Sequence, residues 1–205
     1  MDLESDLERA AARESGRHRT AAGQAYTATE RGGAAVGKSL RTILRNSLRL
    51  AVRSAGKAKG KPALDLCHGT GQVSQKLRNL GRPVLVIDAT RGPHMNLAKA
   101  EVYNLLAEWI KAGVFCAVYS STECSSMSRA RRAPTWSQMP HRLRSDKYPA
   151  GLPHLTDQDA TLLSEGNLLS RGTTLLLQAA QAQGLPVFEE NPAHSFLRQW
   201  HDREK

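Results

Sequence analysis

The sequence predicts an α/β fold: a parallel β-sheet with helices on both faces, preceded by a basic N-terminal extension. Short apolar runs rich in β-branched residues, such as VLVI at 84–87, alternate with amphipathic stretches of helical period from Pro62 onward. The amphipathic stretches end at glycines, Gly81, Gly113 and Gly184. The apolar runs are continuous rather than alternating, which suits strands buried on both faces of a parallel sheet joined by crossover helices.

Each element follows in chain order. Residues 1–37 are polar, with TERGGAAVG at 29–37 reading as a linker, so a weakly ordered segment is expected. KSLRTILRNSLRLAVRS at 38–54 reads as a helix, with Leu40, Ile43, Leu44, Leu48 and Ala51 on one stripe. Arg41, Arg45, Arg49 and Arg53 form a second stripe beside it. Such a stripe is either the solvated side of a helix packed on the main domain or a surface that tracks phosphates. A membrane-surface role fits less well, because no aromatic residue anchors the apolar side. AGKAKGK at 55–61 is a basic linker, so 38–61 reads as a helix and linker and 62–205 as the main domain.

Within that domain PALDLCHG (62–69) is a strand running into a glycine turn, and GQVSQKLRNLG (71–81) is a helix. PVLVID (83–88) is the second strand, NLAKAEVYNLLAEWIKAG (96–113) a helix, and VFCAVYSS (114–121) the third strand. NLLSRGTTLLLQAAQAQG (167–184) is a further helix and LPVFEENP (185–192) a strand closed by proline. Residues 129–165 read as a basic insertion, with ARRAPTWSQMPHRLRSDK carrying Trp136 among its cations. Such a segment is either a solvated loop or a contact surface for a nucleic-acid backbone and base.

With 205 residues, a net charge of +10 and a pI near 10, the chain can bury a core and is expected to meet a polyanion, unless its charge serves solubility alone. Its three cysteines, Cys67, Cys116 and Cys124, lack CxxC spacing, which argues against a zinc site or a disulfide framework and for a reducing, intracellular setting. Cys67 and Cys116 read as small core residues on or at the end of strands. The first residues lack an apolar secretory core, and no apolar run nears the roughly 20 residues that span a bilayer, so no membrane partner is expected.

The most specific local signal is Asp65-Leu66-Cys67-His68-Gly69-Thr70-Gly71 followed by Asp88 at the end of the second strand. Glycines let the backbone approach a ligand, and the acid after the second strand can accept from two ribose hydroxyls. A nucleoside-containing cofactor is therefore expected, against the plainer reading of a turn with no ligand. The dinucleotide fingerprint is incomplete, since Ser74 holds its third glycine position, and no P-loop follows the strand. A carboxylate at Asp65 disfavours a pyrophosphate and suits a sulfonium or amino group, which points to S-adenosylmethionine. His68 reads as a structural turn residue.

LDLCHGTGQVSQKL followed by VLVID resembles the cofactor-binding opening of the DNA cytosine-5 methyltransferases. Asn96-Leu97 is similar to that family's Asp-Ile pair, Glu123-Cys124-Ser125-Ser126-Met127-Ser128 to its Pro-Cys loop, and Glu189-Glu190-Asn191 to its Glu-Asn-Val motif. The resemblance covers about residues 62–197. The basic cysteine loop and the ENP segment also resemble methyltransferase-like domains carried by mobile elements of algae and protists.

The family resemblance implies a Rossmann-like methyltransferase sheet. Asp65, Gly69, Gly71, Asp88 and Asn96 would then contact S-adenosylmethionine. Cys124 would be the nucleophile toward cytosine carbon 6, and Glu190 would hold the flipped base. Asn191 would fix the loop beside the nucleic acid. Arg129, Arg131, Arg132, Arg142 and Arg144 would line the path of a DNA substrate, and the first three, close to Cys124 in sequence, would favour the thiolate. A DNA substrate would also imply a nuclear setting.

The sequence departs from the family in Glu123 for proline, Gln72 and Val73 in the glycine turn, Asn96 for aspartate, and in carrying no QxRxR segment after Glu190. A target-recognition function would then come from a separate domain or subunit. Glu123 beside the thiol discourages the thiolate. The alternatives are a nucleic-acid-binding module that keeps the fold without the chemistry, or methylation of RNA or another nitrogenous substrate.

Overall fold

The computed structural model describes residues 33–54, 60–122, 126–127, 142–191 and 195–197. The elements run α1 (Gly33–Ser54), β1 (Ala63–Leu66), α2 (Gln72–Asn79), β2 (Val84–Ile87), α3 (Ala100–Lys111), β3 (Ala117–Ser120), α4 (Asp157–Ala182) and β4 (Val187–Glu189). The fold is α/β, as the alternation of apolar runs and amphipathic stretches predicts. The four strands are parallel in the order β2-β1-β3-β4. Leu64 pairs with Leu85 on one side and Val118 on the other, and Val118 pairs with Val187.

Every residue of β1 and β2 is buried, which is why those strands read as unbroken apolar runs. One face of the sheet presents Leu64, Leu66, Leu85, Ile87 and Val118 to α1, α3 and α4. The other presents Ala63, Val84 and Val86 to Leu77 of α2 and to Cys116. Helix α3 buries Val102, Leu105, Leu106, Trp109 and Ile110, one stripe of helical period, with the Trp109 and Phe115 rings 6.4 Å apart. It stops at Gly113, whose φ of 71° lets its N–H return to the Ile110 carbonyl while Val114 N–H reaches Trp109.

Helix α1 begins at Gly33, inside the stretch expected to be a linker. It is a layer of the main core rather than an appendage, because Leu44 and Leu48 are fully buried against the sheet side. Each such leucine contributes about 1.5–3 kcal/mol of burial. Of the arginine stripe, Arg41 Nη2 lies 2.8 Å from Glu108 Oε2 of α3, and Arg49 and Arg53 are exposed.

Helix α4 likewise begins earlier than its apolar pattern, at Asp157 within the expected insertion. Thr156 caps it, its hydroxyl accepting from Asp159 N–H, and Asp157 and Asp159 complement the helix dipole.

The path β1-α2-β2 moves to one side of β1, and the path through α3 returns to β3 on the other. That reversal opens a crevice at the carboxyl ends of β1 and β3, where open parallel sheets hold ligands.

Candidate functional site

A cleft of about 700 Å³ lies at that crevice. Cys67, His68, Gly69 and Thr70 contribute from the end of β1, and Ile87, Asp88, Ala89 and Thr90 from the end of β2. Tyr119 comes from β3, Ser121 and Thr122 from the segment leaving it, and Glu190 from the residue after β4. Met95, Leu97, Val73 and Leu169 make its walls mostly apolar. Its walls are apolar and its polar groups sit at the strand ends.

The glycine turn is built around His68. Asp65 is 1% exposed beneath the turn, and its Oδ2 accepts from His68 Nδ1 at 2.8 Å and from the Ser74 hydroxyl. The same hydroxyl lies 2.8 Å from His68 Nδ1. With Asp65 accepting at Nδ1, the unprotonated nitrogen of the neutral ring is Nε2. It lies over Gly71, where φ is 76° and where a Cβ would collide with the ring, so that position requires glycine.

From the sequence, the Asp65 carboxylate is expected to face a ligand cation. It corrects to a role under the turn, because the carboxylate is buried and turned to His68 and Ser74. The structural role expected for His68 holds, yet the ring also lines the cleft. Cys67 packs against the main core as expected and also lines the cleft, its φ of 55° turning the chain out of β1.

Asp88 follows directly on β2 and lines the cleft. Its Oδ1 accepts from Thr90 N at 2.9 Å and Thr90 Oγ1 at 2.6 Å, and its Oδ2 accepts from Gly69 N at 3.3 Å. Two ends of two strands are thereby stitched together, and Oδ2 keeps accepting capacity toward the cleft. Burial alone would raise the Asp88 carboxyl. Hydrogen bonds from Thr90 and Gly69, with His68 nearby, outweigh it and hold the group below its ordinary value.

Asn96 caps its own turn, Oδ1 accepting from Ala98 N at 2.9 Å, and its neighbours Met95 and Leu97 face the cleft in its place. Gly71 is buried behind Gly69. Glu190 lines the cleft and donates its backbone N–H to Ser120 O at 2.8 Å. Asn191 Nδ2 donates to Thr122 O at 3.4 Å, and Thr122 Oγ1 lies 3.5 Å from Glu189 Oε1. The end of β4 is thus tied to the segment leaving β3.

Among the arginines, Arg142 is exposed. Arg144 corrects the expectation of a phosphate contact: it is 0% exposed. Its Nε donates to Ser126 O at 2.9 Å and its Nη1 to Pro149 O at 2.7 Å, while Nη2 reaches Ser126 Oγ at 3.3 Å. Fixed carbonyls satisfy a guanidinium out of water, so burial is tolerated. Glu123, Cys124, Arg129, Arg131, Arg132 and Trp136 lie outside the described residues. Among the described residues no cluster of His, Cys, Asp and Glu could hold a metal ion, and no helix is long and apolar enough to cross a membrane.

Residues that the sequence reading passed over are His68 as a cleft residue, Thr90 and Tyr119. The signal for Thr90 is its place two residues after the strand-end acid, where a side chain turns back to cap it. No protein-family model, curated protein or solved structure matches the chain.

Proposed function

We propose that the chain is an S-adenosylmethionine-dependent methyltransferase-like protein acting on nucleic acid, with cytosine carbon 5 of DNA as the acceptor. The observation that carries the reading is one cleft, at the switch point of a parallel sheet, that brings together Gly69, Asp88 and Glu190 from three strand ends. Asp88 fits the two hydroxyls of a ribose, and Met95 and Leu97 fit an adenine face. Bound S-adenosylmethionine would supply the methyl group.

Glu190, at the opposite side of the cleft, suits the amine edge of a pyrimidine. By the sequence resemblance Cys124 follows β3 as the nucleophile, and the Asn191–Thr122 bond anchors the chain just before it. The net charge of +10 supports a polyanionic substrate.

The test is covalent capture. DNA carrying 5-fluorocytosine, incubated with the protein and S-adenosylmethionine, is expected to give a denaturation-resistant adduct that Cys124→Ser abolishes. Salt-sensitive DNA binding without adduct or cofactor dependence would instead support a binding module that keeps the fold alone. That second reading draws on Asp65, whose carboxylate is turned away from a ligand cation.

A further inference from the structure

We infer that the amino end of the sheet, opposite the cleft, is a docking surface for the phosphate backbone of a nucleic acid. Lys61 stands where the chain approaches β1, and Arg82 where it approaches β2. The backbone holds the starts of the strands side by side. Ala63 N–H donates to Pro83 O at 2.9 Å, and Cys116 N–H donates to Pro62 O at 2.9 Å. Arg82 lies over Gly60, its Nη1 3.2 Å from where a Cβ would stand, and Lys61 Nζ lies 3.4 Å from the same point on Gly113. Lys111 closes α3 just before Gly113. Arg78 is in the last turn of α2, and its carbonyl accepts from Gly81 N, next to Arg82. Arg82 and Lys111 are exposed, and Lys61 and Arg78 are half-buried.

No acid answers these cations. Residues 60–64, 76–87, 109–118 and 178–188, which build this end of the sheet, contain neither Asp nor Glu. Among the described residues no carboxylate pairs with Lys61, Arg78, Arg82 or Lys111. Glu108, one turn back on α3, is held by Arg41 at 2.8 Å. The carboxyl end of the sheet differs, because Asp88, Glu189 and Glu190 stand there with Arg91 and Lys99. Arg78 and Lys111 also complement the dipoles of the helices they end, but Lys61 and Arg82 belong to no helix.

Neighbouring strands lie about 4.8 Å apart, so the starts of β2, β1 and β3 span about 10 Å. That is the rise of roughly three phosphates along one strand of a duplex, at about 3.4 Å each. A lipid surface fits less well, since Leu80 is a single exposed apolar side chain beside these cations and offers too little area for an anchor.

Fluorescence anisotropy of a labelled DNA duplex of arbitrary sequence, followed across salt concentration with the full chain, tests the surface. Arg82→Glu with Lys111→Glu reverses two exposed cations of this end. Lys99→Glu with Arg171→Glu is the control at the same net charge. Lys99 caps the start of α3, Arg171 adjoins Gly172, which packs on the Leu97 carbonyl, and neither lines the cleft. The first pair is expected to weaken binding about tenfold or more and to lower the salt slope by about 2. The control pair should change affinity by less than about threefold. Arg82→Gln with Lys111→Gln, the milder change, should fall between wild type and the first pair.

Equal weakening by the first pair and the control overturns the surface, since net charge alone then sets binding. Unchanged affinity in the first pair, or no duplex binding by the wild type at about 50 mM salt, also overturns it. Wild type that binds phosphatidylserine vesicles but not the duplex overturns it in favour of a lipid surface. The first pair should bind S-adenosylhomocysteine as the wild type does; weaker binding would place the defect in the cleft and overturn the surface. The expected duplex results with no S-adenosylhomocysteine binding by any of the proteins would uphold the surface and overturn the methyl-donor reading.

Discussion

Replacing Gly71 by alanine tests the His68 turn quantitatively, because the fold supplies its own control. Gly71 and Gly81 have nearly the same backbone, with φ of 76° and 73°. A Cβ on Gly81 meets nothing within 4 Å, whereas on Gly71 it runs into the His68 ring. Both substitutions impose a left-handed conformation on alanine, at about 1–2 kcal/mol. Only Gly71→Ala must also move His68, whose bond to Asp65 is part of a buried polar cluster.

Losing a hydrogen bond to a charged group costs about 1.5–3 kcal/mol. Gly81→Ala should therefore cost about 1–2 kcal/mol and Gly71→Ala about 2.5–5. At about 2–4 °C per kcal/mol for a chain of this size, the melting temperatures should separate by several degrees. Thermal and urea unfolding of the variants measure this directly. Equal destabilisation would mean that His68 does not lie over Gly71, and the argument for an ordered Asp65–His68–Ser74 cluster would fail.

Leu48→Ala should cost about 2–5 kcal/mol, while Leu50→Ala, at a position 65% exposed on the same helix, should stay within about 0.5; similar values would detach α1 from the core. Arg144→Ala strands the Ser126 and Pro149 carbonyls and should destabilise by about 2–5 kcal/mol in urea unfolding, with little change for Arg142→Ala. If Arg144→Ala weakens DNA binding without lowering stability, its buried role is wrong. Asp88 is held below its ordinary value of 3.8, so its contribution to stability is present above that pH and is lost as pH falls through the lower folded value. Wild type should consequently lose a stability increment below about pH 4 that Asp88→Asn lacks, and coincident acid-unfolding curves would contradict this.

The elements most legible in the sequence are those whose burial is written locally. VLVI is apolar at every position because β2 is covered on both faces. Gly81 and Gly113 end helices because only glycine takes the left-handed turn cheaply. The start of α4 was not legible from apolar period, because that helix packs through small residues. Gly166 lies against Ser126, and Gly172 lies against the Leu97 backbone and Tyr103. Ser170, Thr173 and Thr174 are buried as well. The capping residue Thr156 with Asp159 marked its start all the same.

In the cleft, Gly69, Asp88 and Glu190 could be anticipated because each stands at a strand end. Asp65 and Arg144 could not. An acid before glycines and an arginine in a basic run look exposed, and only long-range packing turns one under the turn and the other against Ser126.

The central claim is that this cleft holds a nucleoside through Asp88. Calorimetric titration of S-adenosylhomocysteine into wild type and Asp88→Ala, both shown to be folded by circular dichroism, addresses it most directly. The account predicts micromolar binding to the wild type that falls at least about tenfold in the variant, the loss of a hydrogen-bonded charge. No heat of binding with the wild type, or the same affinity in both proteins, would contradict it.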